Sequence, residues 1–252
     1  MLAQAEWILS CEKLTVDFDG FVAVNQMDFR LARGELRFLI GPNGAGKTTM
    51  LDMICGKTKP TSGKVLYGGT MDISRKKEHQ IASLGIARKF QAPSIFQPLS
   101  VFENMELALK QNRSVWASLF RPTTSEQRER IMAGLALIGL DGKAQLRAGS
   151  LSHGEKQWLE IGMMLLQEPT VLLLDEPVAG MTDVETMKTG ELLMTIKENC
   201  SVVVVEHDME FVRAFSSTVT VMHEGSLLKE GTMEDIQSDQ RVAEVYLGQK
   251  AG

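Results

Sequence analysis

The sequence has 252 residues, enough for one sizeable core carrying a smaller lobe and short for two independent domains of ordinary size. Apolar residues make up 44% and charged residues 23%, with only 7 prolines, which excludes disordered and fibrous chains. A net charge of -5 removes the counterion-release drive toward nucleic acid, so no nucleic-acid partner is expected, and the short run Arg75-Lys76-Lys77 is read as a solvated loop.

In chain order, the first informative element is Leu36 to Ile40, a short apolar run ending in a glycine-rich turn. Lys47 to Cys55 follows with a helical pattern and stops at Gly56, which predicts strand, loop, helix and C-terminal glycine. From 92 to 160 no strand-like run occurs. Ser100-Val101-Phe102-Glu103 fits a capping box ahead of Met105, Leu107 and Ala108, and Ile131, Leu135 and Ile138 share one helical face after Ser125. Asn112 to Thr124 connects these helices and holds Trp116, Leu119 and Phe120, either as a docking surface for a membrane subunit or as a satellite core under the loop. Val171 to Leu174 and Val202 to Val205 are too apolar for half-exposed strands and belong in a sheet covered on both faces. Val219, Val221 and Leu227 flank His223-Glu224-Gly225, a predicted hairpin. The pattern is an α/β core interrupted by a helical lobe.

No stretch approaches the ~20 apolar residues needed to cross a bilayer. Met1 to Trp7 shows no charged segment followed by an apolar one, so the expected location is cytoplasmic, with any membrane role supplied by a partner. Cys11, Cys55 and Cys200 share no metal-ligand or redox spacing, and Met50, Met53, Met163 and Met164 sit in helical patterns, so both groups are read as core.

Gly41-Pro42-Asn43-Gly44-Ala45-Gly46-Lys47-Thr48, followed by Thr49, satisfies the P-loop pattern in its required setting between a buried strand and a helix. Glycines let the backbone wrap so that successive N–H groups face phosphates, and the helix N-terminus adds partial positive charge. Lys47 is expected to reach the β- and γ-phosphates of ATP, and Thr48 to ligate Mg²⁺. Asp175, ending the aliphatic run, supplies the second metal contact, and Glu176 is placed to act as general base on the attacking water.

Leu151-Ser152-His153-Gly154-Glu155, ahead of a helix with Trp158, Ile161, Leu165 and Leu166, resembles the Leu-Ser-Gly-Gly-Gln signature of ABC ATPases, with His153 in place of a glycine and Glu155 in place of glutamine. The resemblance implies a P-loop NTPase (RecA-like) α/β core with an N-terminal antiparallel β-subdomain and an inserted α-helical subdomain. One ABC ATPase domain then spans 1–252, with 1–91 and 161–252 as nucleotide-binding core and 92–160 as helical subdomain. It also implies that residues 151–155 bind in trans the γ-phosphate held by an opposing subunit. Gln91 matches the glutamine that touches Mg²⁺ and water, His207 the switch histidine on the γ-phosphate, and Phe18 the aromatic stacked on adenine. Ala179-Gly180-Met181-Thr182 carries Thr where the family's D-loop usually has Asp.

A GTPase reading lacks its Asn-Lys-x-Asp base reader, and DNA-repair and translation relatives lack here their coiled coils or second motif set. Phe18 to Asn25 and the insertion after Gln91 look like the branched-chain amino-acid importer ATPases. Leu151 to Gly154, Gln157 to Met163, Glu176 to Asp183, Lys110 to Trp116 and Glu244 to Gly248 are similar to an ATP-binding subunit of urea importers within that branch. That implies a homodimer or a heterodimer with a paralogous ATPase, two integral membrane permease subunits, an indirect periplasmic binding protein, and a peripheral place on the cytoplasmic face of the inner membrane. Branched-chain amino acids or short amides are the alternative cargo, and a free-standing soluble, non-transport ABC ATPase that binds a protein partner is the alternative to a transporter motor.

Overall fold

The computed structural model describes residues 7–89, 95–109 and 123–247. They fall into two compact units, one of residues 7–88, 170–177 and 193–247, the other of 89, 95–109, 123–169 and 178–192. The sequence reading returns the chain to the core at 161; here 161–169 and 178–192 group with the helical unit.

The first unit holds two sheets. Strands β1 (Trp7–Phe18), β2 (Phe21–Ala32), β4 (Ser62–Tyr67) and β5 (Met71–Asp72) form an antiparallel sheet in the order β2-β1-β4-β5. The second sheet combines β3 (Leu36–Ile40), β6 (Ile86–Arg88), β7 (Val171–Asp175), β8 (Ser201–Val205), β9 (Thr218–His223) and β10 (Ser226–Gly231) in the order β10-β9-β3-β8-β7-β6. It is parallel from β9 to β6, and β10 closes it as the antiparallel arm of a hairpin through Glu224 and Gly225, both at positive φ. Every residue of β3, β7 and β8 is buried, the reason their apolar residues run without alternation; Arg37, buried in β3, is paired with Glu35 and Glu230.

Helix α1 (Lys47–Ile54) lies in the core shared by the two sheets. Its Met50, Leu51 and Ile54 join one cluster with Leu14, Val24 and Phe29 of the antiparallel sheet and Leu173 and Val203 of the parallel one. Helix α2 (Glu78–Ser83) contributes Ile81 to the same cluster. Cys11, Cys55 and Cys200 are buried free thiols, and burial pushes those of Cys11 and Cys200 up to about 12.

The second unit contains α3 (Val101–Ala108), α4 (Ser125–Leu137), α5 (His153–Leu165) and the first part of α6 (Asp183–Ile196). Ser100 caps α3 and Thr124 caps α4, each closing a box with Glu103 or Gln127. Met105 and Ala108 of α3 are buried, whereas Leu107 lies on the exposed face. Two glycines let the helices approach closely: a Cβ on Gly162 would stand 2.6 Å from Ile138 Cδ1, and one on Gly134 2.9 Å from Met105 Cε. Short helices α7 (Met209–Phe215), α8 (Met233–Ser238) and α9 (Gln240–Leu247) complete the first unit. Lys110 to Pro122, which includes Trp116, Leu119 and Phe120 of the apolar connection, lies outside the described residues, as does Gln91.

Candidate nucleotide-binding and hydrolysis site

The P-loop leaves the carboxyl end of β3, and its glycines are required by geometry. Gly46 caps α1 at φ 95°, and a Cβ there would stand 2.5 Å from Ala23 O. Gly44 also has a positive φ, of 81°. With glycine at the cap, no side chain caps the first turn of α1 by a hydrogen bond, so its N–H groups are left for an anion. The loop is buttressed from the β9–β10 turn, where Gly225 N donates to Ala45 O at 3.1 Å and Asn25 N donates to Gly225 O at 2.8 Å. Sequence reasoning read Gly225 only as a turn residue.

Lys47 is buried, and its Nζ donates to Gly41 O at 2.8 Å and to Pro42 O at 3.0 Å. Burial lowers its pKa, while Glu176 and Asp175 pull the other way. Thr48 Oγ1 donates to Asp175 Oδ2 at 3.1 Å, so two residues 127 positions apart meet. The sheet register causes this: Val205 of β8 pairs with both Leu39 of β3 and Asp175 of β7, which brings all three strand ends to one edge. Burial raises the Asp175 pKa, opposed by the Thr48 hydrogen bond and the Arg88 charge.

Arg88 was not singled out from sequence. Its side chain is buried at the end of β6, ion-paired to Asp52 and 3.5 Å from Asp175 Oδ2. The available signal was a cation at the carboxyl end of a strand, the edge where open α/β sheets bind ligands. Removing one partner of a buried ion pair typically costs about 3–5 kcal/mol. Arg88→Met is therefore expected to lower unfolding stability by about 3 kcal/mol, measured by urea denaturation, and Arg88→Lys by less.

Glu176 adopts φ 49°, a left-handed conformation uncommon outside glycine, while its N–H donates to Val205 O at 2.9 Å. This turn separates the two adjacent carboxylates. Asp175 points inward to Thr48, and Glu176 Oε1 points outward to His207 Nδ1 at 3.4 Å. His207 follows β8, so the candidate base and the candidate switch histidine stand at the same sheet edge as the P-loop. Phe18 ends β1 on a hairpin tip and is 48% exposed, with Asp17 Oδ1 accepting from Gly20 N to hold the turn. An exposed ring on a fixed hairpin is available for stacking.

In the helical unit, Ser152 caps α5: its Oγ accepts from Glu155 N, and its N–H donates to Glu155 Oε2 at 3.0 Å. Glu155 also pairs with Lys143; burial opposes its ionisation, but these bonds hold its pKa below the usual range. The glutamate that departs from the signature's usual glutamine is thus committed to the cap and to Lys143. His153 Nε2 lies 3.0 Å from Ala179 O, joining the signature to the turn that precedes α6. Leu151 and Gly154 are buried beside it.

Residues 24–179 match the family described as ABC transporter. The chain belongs to the ABC transporter family. It is 35% identical to the high-affinity branched-chain amino acid transport ATP-binding protein LivG of Escherichia coli K12, over 96% of this chain and 98% of that protein. It is 33% identical to the high-affinity branched-chain amino acid transport ATP-binding protein BraF of Pseudomonas aeruginosa, over 96% and 98%. Among solved structures, an ATP-binding cassette of an ABC transporter in its ADP conformation superposes with a TM-score of 0.85 at 28% identity, covering 96% of this chain and 99% of that one. As a member of this family the chain is an ATP-binding subunit of an ABC importer and an ATPase. Among the described residues, no helix is long and apolar enough to cross a membrane.

Proposed function

We propose that the chain drives a bacterial urea importer, pairing with itself or with a paralogous ATPase so that two ATP molecules are held between two motor subunits. The observation that carries the motor chemistry is the meeting of Thr48 with Asp175 and of Glu176 with His207 at one sheet edge. The P-loop backbone from Gly41 to Thr49 and Lys47 hold the phosphates, Phe18 stacks on adenine, and Glu176 takes a proton from the attacking water. His207 contacts the γ-phosphate, as Gln91 does the water. A hydroxyl beside a single carboxylate suits Mg²⁺, a hard cation held by one or two carboxylates plus substrate phosphates. Thr48, Asp175 and Gln91 would hold the ion, which would neutralise charge on the β- and γ-oxygens.

In this reading the signature residues Leu151 to Glu155 bind the opposing subunit's γ-phosphate, so hydrolysis removes the group that bridges the halves. Only the closed state makes both sets of phosphate contacts, and ATP thereby shifts the population toward closure. The chain works at the cytoplasmic face of the inner membrane, with two permease subunits and, indirectly, a periplasmic binding protein.

Urea rests on the resemblance of Leu151 to Gly154, Gln157 to Met163 and Glu176 to Asp183 to a urea-importer subunit. Branched-chain amino acids are the second reading, favoured by the names of the relatives at 33% and 35% identity. Uptake of labelled urea and labelled leucine in cells lacking the gene separates the two. Loss of urea uptake alone is expected; loss of leucine uptake with urea uptake intact would overturn the urea reading.

A further inference from the structure

The proton of the Ser152 hydroxyl is already in use inside this chain. Ser152 Oγ donates to Glu185 Oε1 at 2.9 Å while accepting from Glu155 N at 3.2 Å. A hydroxyl has one proton, and that one goes to a carboxylate. The carboxylate is firmly placed: Glu185 Oε2 accepts from Thr182 N and Thr182 Oγ1, both at 3.0 Å. Glu185 O accepts from Thr189 Oγ1 at 2.8 Å, and Thr189 in turn accepts from Trp158 Nε1 at 2.8 Å, tying α6 to α5 one turn further on.

The second glycine of the signature supplies an independent observation. A Cβ on Gly154 would stand 2.5 Å from Glu185 Oε1 and 2.6 Å from its Cδ, so the missing side chain is what admits the carboxylate against the start of α5. An acid therefore sits on the anion-favouring end of the signature helix, bonded to the side chain assigned to phosphate. His153 adds a second tie. Its ring Nε2 lies 3.0 Å from Ala179 O and 3.3 Å from Gln157 Nε2, which holds the turn before Thr182 against the signature.

We propose that Glu185 is a positioning residue that occupies Ser152 as an internal anion, and that the γ-phosphate of the opposing subunit must displace it to engage the signature. This rests on the reading of residues 151–155 as a γ-phosphate site in trans. A phosphate arriving at Ser152 meets oxygen lone pairs and a neighbouring negative charge until the hydroxyl proton turns away from Glu185. Dimer closure thus carries a penalty set by Glu185, and the residue tunes how much ATP is needed to close the motor.

The test measures the ATPase KM and kcat of the assembled transporter carrying Glu185→Gln, Glu185→Ala or Ser152→Ala. Removing the competing charge is expected to lower KM for ATP about fivefold in both Glu185 variants, with no rise in kcat. Gln preserves the side-chain volume, so this variant keeps the test open if Ala disturbs folding. A purely supporting role for Glu185 predicts the reverse, a raised KM that is worse for Ala than for Gln; that result, or a KM within about twofold of the parent, overturns the inference. Ser152→Ala is expected to raise KM. If it does not, the signature reading itself fails; if it does while the Glu185 variants leave KM unchanged, only the inference about Glu185 falls.

Discussion

In Glu176→Gln, ATP binding is expected to survive while hydrolysis by the assembled transporter falls roughly 10²–10⁴-fold, the usual contribution of a positioned general base. The substitution is nearly isosteric, and the left-handed backbone at φ 49° and the Glu176 N–H bond to Val205 O are main-chain features it leaves in place. What it removes is the carboxylate 3.4 Å from His207, and an amide oxygen is too weak a base to take the water's proton. Lys47 and the P-loop glycines are untouched, so nucleotide affinity is expected to hold or rise as a negative charge leaves the phosphate edge. The closed, ATP-loaded dimer then accumulates. Nucleotide binding by fluorescence, phosphate release and size-exclusion chromatography read the three quantities separately, and normal phosphate release would overturn the assignment of Glu176 as base.

Lys47→Ala acts on the earlier step. Lys47 is the buried cation of the loop, with Nζ held 2.8 Å from Gly41 O and 3.0 Å from Pro42 O. Hydrogen bonds to charged groups contribute about 1.5–3 kcal/mol each, so losing its phosphate contacts is expected to weaken ATP binding by about 10²-fold or more. Burial disfavours its charged form and lowers its pKa, which offsets part of the cost of losing the bonds to Gly41 O and Pro42 O, so the change in folding stability is expected to be smaller than the loss of binding. Isothermal titration with ATP beside a thermal melt separates the two effects. A variant that melts early but binds normally would place Lys47 in the scaffold instead.

Strands β3, β7 and β8 were legible because a strand covered on both faces carries apolar residues without alternation, and such runs are visible without any partner. The P-loop was legible because its positive-φ positions admit glycine and little else. The cap at Ser100 was readable for a similar reason, since it closes within one helical turn, whereas α4 is capped by Thr124, one residue before the Ser125 at which the pattern placed its start. Where the second unit ends was not readable. Helix α5 continues without a break from the signature to Leu165, and its membership is decided by Gly162 against Ile138, a contact that leaves no local pattern.

Arg88 and Glu185 escaped for the same physical reason. Each looks like an ordinary charged residue in sequence, and each acquires its role from partners far along the chain: Arg88 beside Asp52 and Asp175, Glu185 beside Ser152. The sequence alone determined the type of chemistry, because phosphate binding demands a fixed order of glycines, a lysine, a hydroxyl and carboxylates within short, backbone-defined segments. Only the tertiary structure decided which of those groups are already engaged: Thr48 on Asp175, Glu176 on His207 and Ser152 on Glu185. Hydrogen bonds between distant segments depend on sheet register and helix packing, and those are set by the whole buried core rather than by any local run of residues.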